Sequence, residues 1–517
     1  MSHHLRSHHS HIHHIFILLL FNIILTLQLA SSLTTNAKKM TISPIISSLS
    51  SPPKIITISE TIWRAAASKH SQRIKTLLQP GLTSMDHPLN SGRRNKGYRG
   101  PVDDWTALDP TNPIYNFLVE YYGLKGAKGP RRLARWAPDP KLLLGTTTDN
   151  NNKYYDGSII HHNHQSTSLA GDAIYKAAME ASHGLGGILL ENATLDDLGG
   201  TLYMRGGVPV PILEDPLIMQ QQSITNDDSE EPGEELHGIL YNPAIFHNRH
   251  IPLDGEDNTE ERRKQLLKTI APFQWYSSIL QTTLDSDPVL HCYGLHEWAM
   301  QYHPEGAPPP PSAKYQSSLN LRVSQKVINE AVERKGIRCT HVDALRFFAP
   351  AAGPLNHHGA ELQRMDQLRM EQKGCVHAHM DLLKIGLKLH GYVDSKLMGD
   401  VLEVALAARQ LDVEASPYDA TEYGAKIVPI ETKEGRKMYK EEQTLLMIRT
   451  EPVRKRLLGA YEVFMELAFE EELLGGHFLG DTNGDGANAA APPYVAPERL
   501  AKVQPGGLPW RKNLIES

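Results

Sequence analysis

Apolar positions recur at helical spacing along much of this chain. Ile62, Ala66, His70, Ile74 and Leu77 follow three or four apart, and the run stops before the helix-ending pair Pro80-Gly81. The same spacing predicts helices over Glu260–Leu284, Ser324–Arg334, Met380–Leu389, Ser395–Leu411 and Gly435–Leu474. Within the last of these, Pro452 is expected to open a fresh helix after Thr450. Ile174–Leu190 also reads as helix, Leu202–Ile212 as a short hairpin and Gly424–Glu431 as a strand. The expected fold class is therefore mainly α: a single helical domain with a loop-rich insertion and a few short strands.

Polar and low-complexity stretches set the boundaries. Residues 1–58 read as a presequence. Seven histidines and Arg6 stand before an apolar run from Ile15 to Phe21 that continues, diluted, to Ala30. Ala30-Ser31-Ser32 offers a cleavage site, and the hydroxyl-rich, acid-free stretch after it has transit-peptide composition. A signal followed by a transit-like segment implies delivery to a plastid, with the secretory pathway or a start at Met40 as alternatives, and no stable membrane association once it is removed. Residues 145–264 read as an acidic insertion: Leu213 to Glu261 holds 13 acids and one arginine, Arg249. His161, His162 and His164 in it read as loop residues. Residues 471–517 are Gly-, Asn-, Ala- and Pro-rich and read as a disordered tail. Its Asp481–Gly486 starts like a calcium loop, but Pro492 stands where a glutamate is required. Residues 59–144 and 265–470 remain as the folded part.

Charge narrows the function only a little. The chain of 517 residues has 53 Lys+Arg against 59 Asp+Glu, a formal net charge of −6, unlike a protein that coats nucleic acid. Locally, residues 59–141 hold 14 Lys/Arg against 7 Asp/Glu, so the stretch 125–135 is the candidate phosphate contact.

Cysteine is the sharper signal. All 3 cysteines lie within four residues of a histidine, in His291-Cys292 to His296-Glu297-Trp298, Cys339-Thr340-His341-Val342-Asp343 and Cys375-Val376-His377 to Asp381. Histidine and carboxylate ligate zinc or non-haem iron, and nearby thiols favour zinc. The metal-ligand candidates are His296, Glu297, His341, His377 and Asp381; His377 and Asp381, four apart on a helix, are expected to share one face. Met300 stands where a zinc-protease helix needs its second histidine, which excludes that class. A metal-free alternative uses Glu297 or Asp343 to activate water, with His296 as proton donor. Asp343 also stands in capping-box register with Thr340, which would make it structural. Tyr293, Trp298, Phe347, Phe348 and Tyr418 are candidate aromatic faces, Arg322 and Arg346 candidate anion contacts, and Asp419 a lesser carboxylate or a turn residue.

These blocks resemble a bacterial, actinobacterial-type family labelled 3-methyladenine DNA glycosylase. The likeness runs through Tyr293–Met300, Ile337–Ala344 with Arg346–Phe348, Gly374–His377, Met380–Leu382, Ala415–Asp419 and Ile430–Arg436, and more weakly through Ser59–Trp63 and Pro113–Trp136. It covers residues 59–144 and 265–468. The resemblance implies a hydrolase that cleaves an N-glycosidic bond and releases a damaged nucleobase from DNA, a repair activity. Where the family carries Asn after His-Ala, this chain has His379. The residues alone leave two other readings open: a zinc- or iron-dependent hydrolase or oxidoreductase acting on a small molecule, and a non-catalytic helical protein with a structural zinc site.

Overall fold

The computed structural model describes residues 55–93, 105–144, 160–161, 169–182, 184–194, 197, 207–211, 237–243, 259–307, 319–360 and 362–474. All of them belong to one compact unit. The presequence up to residue 54, the His162–His164 patch, the acid run, Pro308–Pro311 and the tail from residue 475 lie outside the described residues.

The fold is mainly helical with a small sheet. Strand β1 (Ile55–Ile58) leads into α1 (Glu60–Leu78). β2 (Ile160–His161), α2 (Leu169–Ala181), β3 (Gly187–Leu190), β4 (Gly207–Pro211) and β5 (His237–Tyr241) follow. The strand order is β2-β1-β3-β5-β4, with β1 parallel to β3 and the other pairs antiparallel. Alternation decides the faces. Ile56, Ile58, Ile188, Leu190 and Ile239 pack with Trp63, Trp136 and Leu142, while Ile55, Leu189, Val210 and Leu240 pack with Ala178 of α2.

The structure departs from several expectations. Ile55–Ile58, assigned to the presequence, is a fully buried strand of the sheet. The insertion supplies β2 to β5, so it completes a sheet around β1. Within it, the helix predicted over residues 174–190 ends at Ala181 and β3 follows, because Gly184, Gly186 and Gly187 all take positive φ angles. The strand at 207–211 pairs with distant β5 and not in a local hairpin. Residues 425–429 form no strand.

The helical body holds the larger core. It comprises α3 (Thr259–Asp285), α4 (Leu295–Met300), α5 (Gln325–Glu333), α6 (Val376–Lys388), α7 (Ser395–Glu414) and α8 (Lys433–Leu474). α6 is buried nearly all round, from Val376 to Leu387, as a central helix must be. Gly386 lets it approach α7 closely, since a Cβ there would stand 3.1 Å from Met398 Sδ. α7 starts where the Asp394 carboxylate accepts from the Lys396 and Leu397 amides. α8 runs unbroken through Pro452, so no fresh helix begins there. Among the described residues no helix is long and apolar enough to cross a membrane.

Candidate metal centre

α4, α6 and α7 bring their ionisable side chains together. α4 is preceded by Tyr293 (φ 51°) and Gly294 (φ 65°), both left-handed. A left-handed tyrosine is costly, and here it turns the chain so that His296 and Glu297 enter the core on the first turn of α4. α6 contributes His377 from its first turn, and α7 contributes Arg409 and Asp412 near its end.

Three imidazoles form a row. The His377 ring lies edge-on to His296 at 4.2 Å between centroids and stacks on His341 at 4.8 Å and 11°. Asp412, fully buried, sits at the His296 end, its Oδ1 2.7 Å from His296 Nε2. This contact is an ion pair when the imidazole is protonated, and neither atom has another partner among the described residues. Both face one point, and with His377 they form a set whose ligand atoms all lie within 4.8 Å of one another.

Arg409 holds this end in place. Its Nη1 donates to Asp412 Oδ2 at 2.6 Å and to Glu297 Oε1 at 2.9 Å, and its Nε donates to Pro113 O at 2.9 Å. Burial opposes ionisation of Asp412, but His296 and Arg409 beside it hold its carboxyl well below the usual range. Burial, with His296 and His341 adjacent, pushes His377 well below the ordinary histidine value, so its ring is neutral and keeps a lone pair. Glu297, by contrast, is raised by burial despite Arg409.

At the other end, His341 Nδ1 lies 3.4 Å from Glu371 Oε1, and its Nε2 lies 3.9 Å from Asp381 Oδ2. Burial opposes a charge on His341, but Glu371 and Cys375 alongside raise it well above its ordinary value. Two further ligand sets form around it, His341–Glu371–Cys375 and His341–Asp343–Asp381. A cavity of about 10 Å³ opens beside the row, lined by Cys292, Cys339, Cys375, His296 and His377 among others. It has room for about one water molecule.

The predicted residues divide accordingly. His296, His341 and His377 come together, but His377 and Asp381 do not share a ligand set, because Asp381 faces His341. Glu297 joins no set: its carboxylate is taken by Arg409. Asp343 binds Arg364 at 3.3 Å and Lys384 at 3.5 Å. Burial opposes its ionisation, yet Lys384 and His341 lower its pKa to about 2, so it is an ionised partner of cations and not a proton donor near neutrality. Nor does it cap a helix, since the 3₁₀ turn Val342–Phe347 has His341 at its N-cap and no side-chain cap bond. His379 turns away to Arg454, 3.2 Å from its Nη2.

The aromatic and anion-contact candidates are mostly structural. Trp298 is 0% exposed and its Nε1 donates to Ala415 O at 2.8 Å. Tyr418 is buried, its hydroxyl accepting from Gln301 Nε2. Tyr293 packs edge-on to Tyr439, and Phe347 edge-on to Tyr121. Arg322 grips Glu431 with both Nη groups and lies over the Trp298 ring. Arg346 is exposed and covers Phe347. Asp419 accepts from Thr421 N and Oγ1 in an exposed turn.

Asp412, Arg409, Glu371 and Cys375 were not predicted as site residues. Arg409 and Asp412 carried a signal, two charges three apart in the otherwise uncharged run Val404–Val413; Glu371 carried none. No protein-family profile, curated protein or solved structure matches this chain.

Proposed function

We propose that the protein is a metal-dependent hydrolase acting on a small molecule, with His296, His377 and Asp412 as the ligands of a divalent transition metal. The convergence of these three donors carries the reading: His296 Nε2 and Asp412 Oδ1, two buried atoms 2.7 Å apart with no further partner among the described residues, lie within 4.8 Å of a ligand atom of His377. Two imidazoles and a carboxylate are a common ligand set for zinc and non-haem iron. Such a metal polarises a bound water and lowers its pKa toward neutrality. The water-sized cavity lined by His296 and His377 supports a water beside it.

The N-glycosidase activity implied by the resemblance draws less support from the geometry. The rings expected to hold an extruded base, Trp298 and Tyr418, are packed into the core. Metal analysis of the purified full chain tests the reading. The expected result is bound zinc or iron that falls by about one equivalent in Asp412→Asn and in His377→Ala, with hydrolysis of small-molecule esters and amides lost alongside. Wild-type protein without transition metal, or base release from methylated DNA that persists after chelation, would overturn it.

A further inference from the structure

The other end of the histidine row carries a second, chemically different set of donors. His341, Glu371 and Cys375 are all buried, and their ligand atoms lie within 4.8 Å of one another. They come from two stretches: His341 precedes the Val342–Phe347 turn, and Glu371 and Cys375, four residues apart across one turn, close the short helix Gln367–Met370 and open α6. Packing of the first stretch on that turn brings His341 to the other two.

The groups around them are arranged as metal ligands are usually held. Gln367 Nε2 donates to Glu371 Oε2 at 2.8 Å, leaving Oε1 toward His341. The far nitrogen of His341 faces the Asp381 carboxylate at 3.9 Å, and Asp381 lies 4.0 Å from Lys384 Nζ. A histidine with a carboxylate behind its outer nitrogen is the usual setting of a ligating imidazole. Gln372 fixes the turn that presents the thiol: its Oε1 accepts from Val289 N at 2.8 Å and from Gly374 N at 2.7 Å. Cys375 also lines the water-sized cavity. Of the three donors Cys375 alone lines it, so an ion held by this set would have its thiolate ligand at the edge of that cavity.

The competing use of His341, with Asp343 and Asp381, is weaker. Arg364 and Lys384 already lie against those two carboxylates. A buried His341–Glu371 ion pair needs no thiol, whereas a zinc-type ion prefers one.

We propose that His341, Glu371 and Cys375 form a second transition-metal site, of zinc type, next to the His296–His377–Asp412 set. The two sets share no ligand, so the second does not depend on the first. His377 stacked on His341 is the partition between them.

The test uses the full chain, stripped with a chelator and reloaded with cobalt(II) chloride alone. A thiolate ligand gives cobalt(II) an intense near-ultraviolet charge-transfer band that nitrogen and oxygen ligands do not. Wild-type protein is expected to show this band. Cys375→Ser is expected to lose it together with about one cobalt per chain, and Glu371→Gln to keep it with cobalt bound at least ten-fold more weakly. Cys292→Ser and Cys339→Ser are expected to keep it unchanged. Asp412→Asn should lose the other cobalt and retain the band. Cobalt binding by wild type without the band, or no cobalt binding, overturns the proposal, and needs no variant to fold. A band that survives Cys375→Ser and disappears with another cysteine overturns it equally. If Asp412→Asn binds as much cobalt as wild type while the band depends on Cys375, the first site fails and the second stands.

Discussion

Arg409 and Asp412, three residues apart on α7, form a buried ion pair of 2.6 Å whose guanidinium also holds Glu297, a residue from a distant segment. One cation therefore faces two buried carboxylates, and His296 stands beside the second of them. Removing the cation leaves Glu297 uncompensated in the core and Asp412 with His296 alone. Loss of one member of a buried ionic group costs about 3–5 kcal/mol. Arg409→Met should lower the unfolding free energy by that amount, read as a lower urea midpoint with an unchanged slope. Combining it with Glu297→Gln and Asp412→Asn should recover much of the loss. A single-variant cost under about 1 kcal/mol, the level of a surface pair, would show that the network does not hold the site.

Glu297 and Asp412 both contact Arg409, but only Asp412 belongs to a ligand set. Glu297→Gln should thus leave metal content unchanged, whereas Asp412→Asn should abolish binding at the His296 end. Equal loss of metal in both variants would restore Glu297 as a ligand, the role its place beside His296 suggested.

The helices were legible because their apolar spacing repeats over several turns; α1, α3, α5, α6 and α7 begin and end within a few residues of the periodic runs. The sheet was not. Its strands are two to five residues long, and β2 to β5 lie scattered through a stretch whose acid runs read as loop. Pro452 was misread as a start because a proline tolerated at an exposed helical position looks the same as one that opens a helix. In the site, rarity served well: cysteine marked the segments that carry all three histidines of the row. The carboxylates were harder. Glu297 is adjacent to His296 in sequence yet points to Arg409, and Asp412 is 116 residues from His296 yet meets it. Which acid reaches which histidine depends on helix packing, and spacing along one segment does not record that.

Trp298 shows how an aromatic beside a site can be structural. Its indole N–H satisfies the Ala415 carbonyl, and its ring face lies under Arg322. Trp298→Phe leaves a buried acceptor without its donor, a cost of about 1–3 kcal/mol. Thermal or urea unfolding should register that loss while metal content stays the same. Unchanged stability with weakened substrate binding would instead make the ring a substrate contact.

Two histidines away from the centre set an acid limit on stability. His70 Nε2–H donates to Leu133 O at 2.9 Å, and burial followed by Arg73 lowers its pKa to about 4. Burial, then Arg132 and Arg135, lowers His390 to about 3. Unfolded, each titrates near 6.5. Between those values the unfolded chain binds more protons than the folded one, so stability rises with pH across that window. The contribution is complete above pH 6.5 and is lost progressively below it. At 1.36 kcal/mol per unit, each histidine should cost about 2 kcal/mol between pH 7 and pH 5. Urea unfolding at the two pH values measures this, and His70→Gln and His390→Gln should each flatten the fall by a similar amount. A wild-type and a double variant that lose stability in parallel would place the acid sensitivity elsewhere, in His377 and His379, which burial also holds well below the ordinary histidine value.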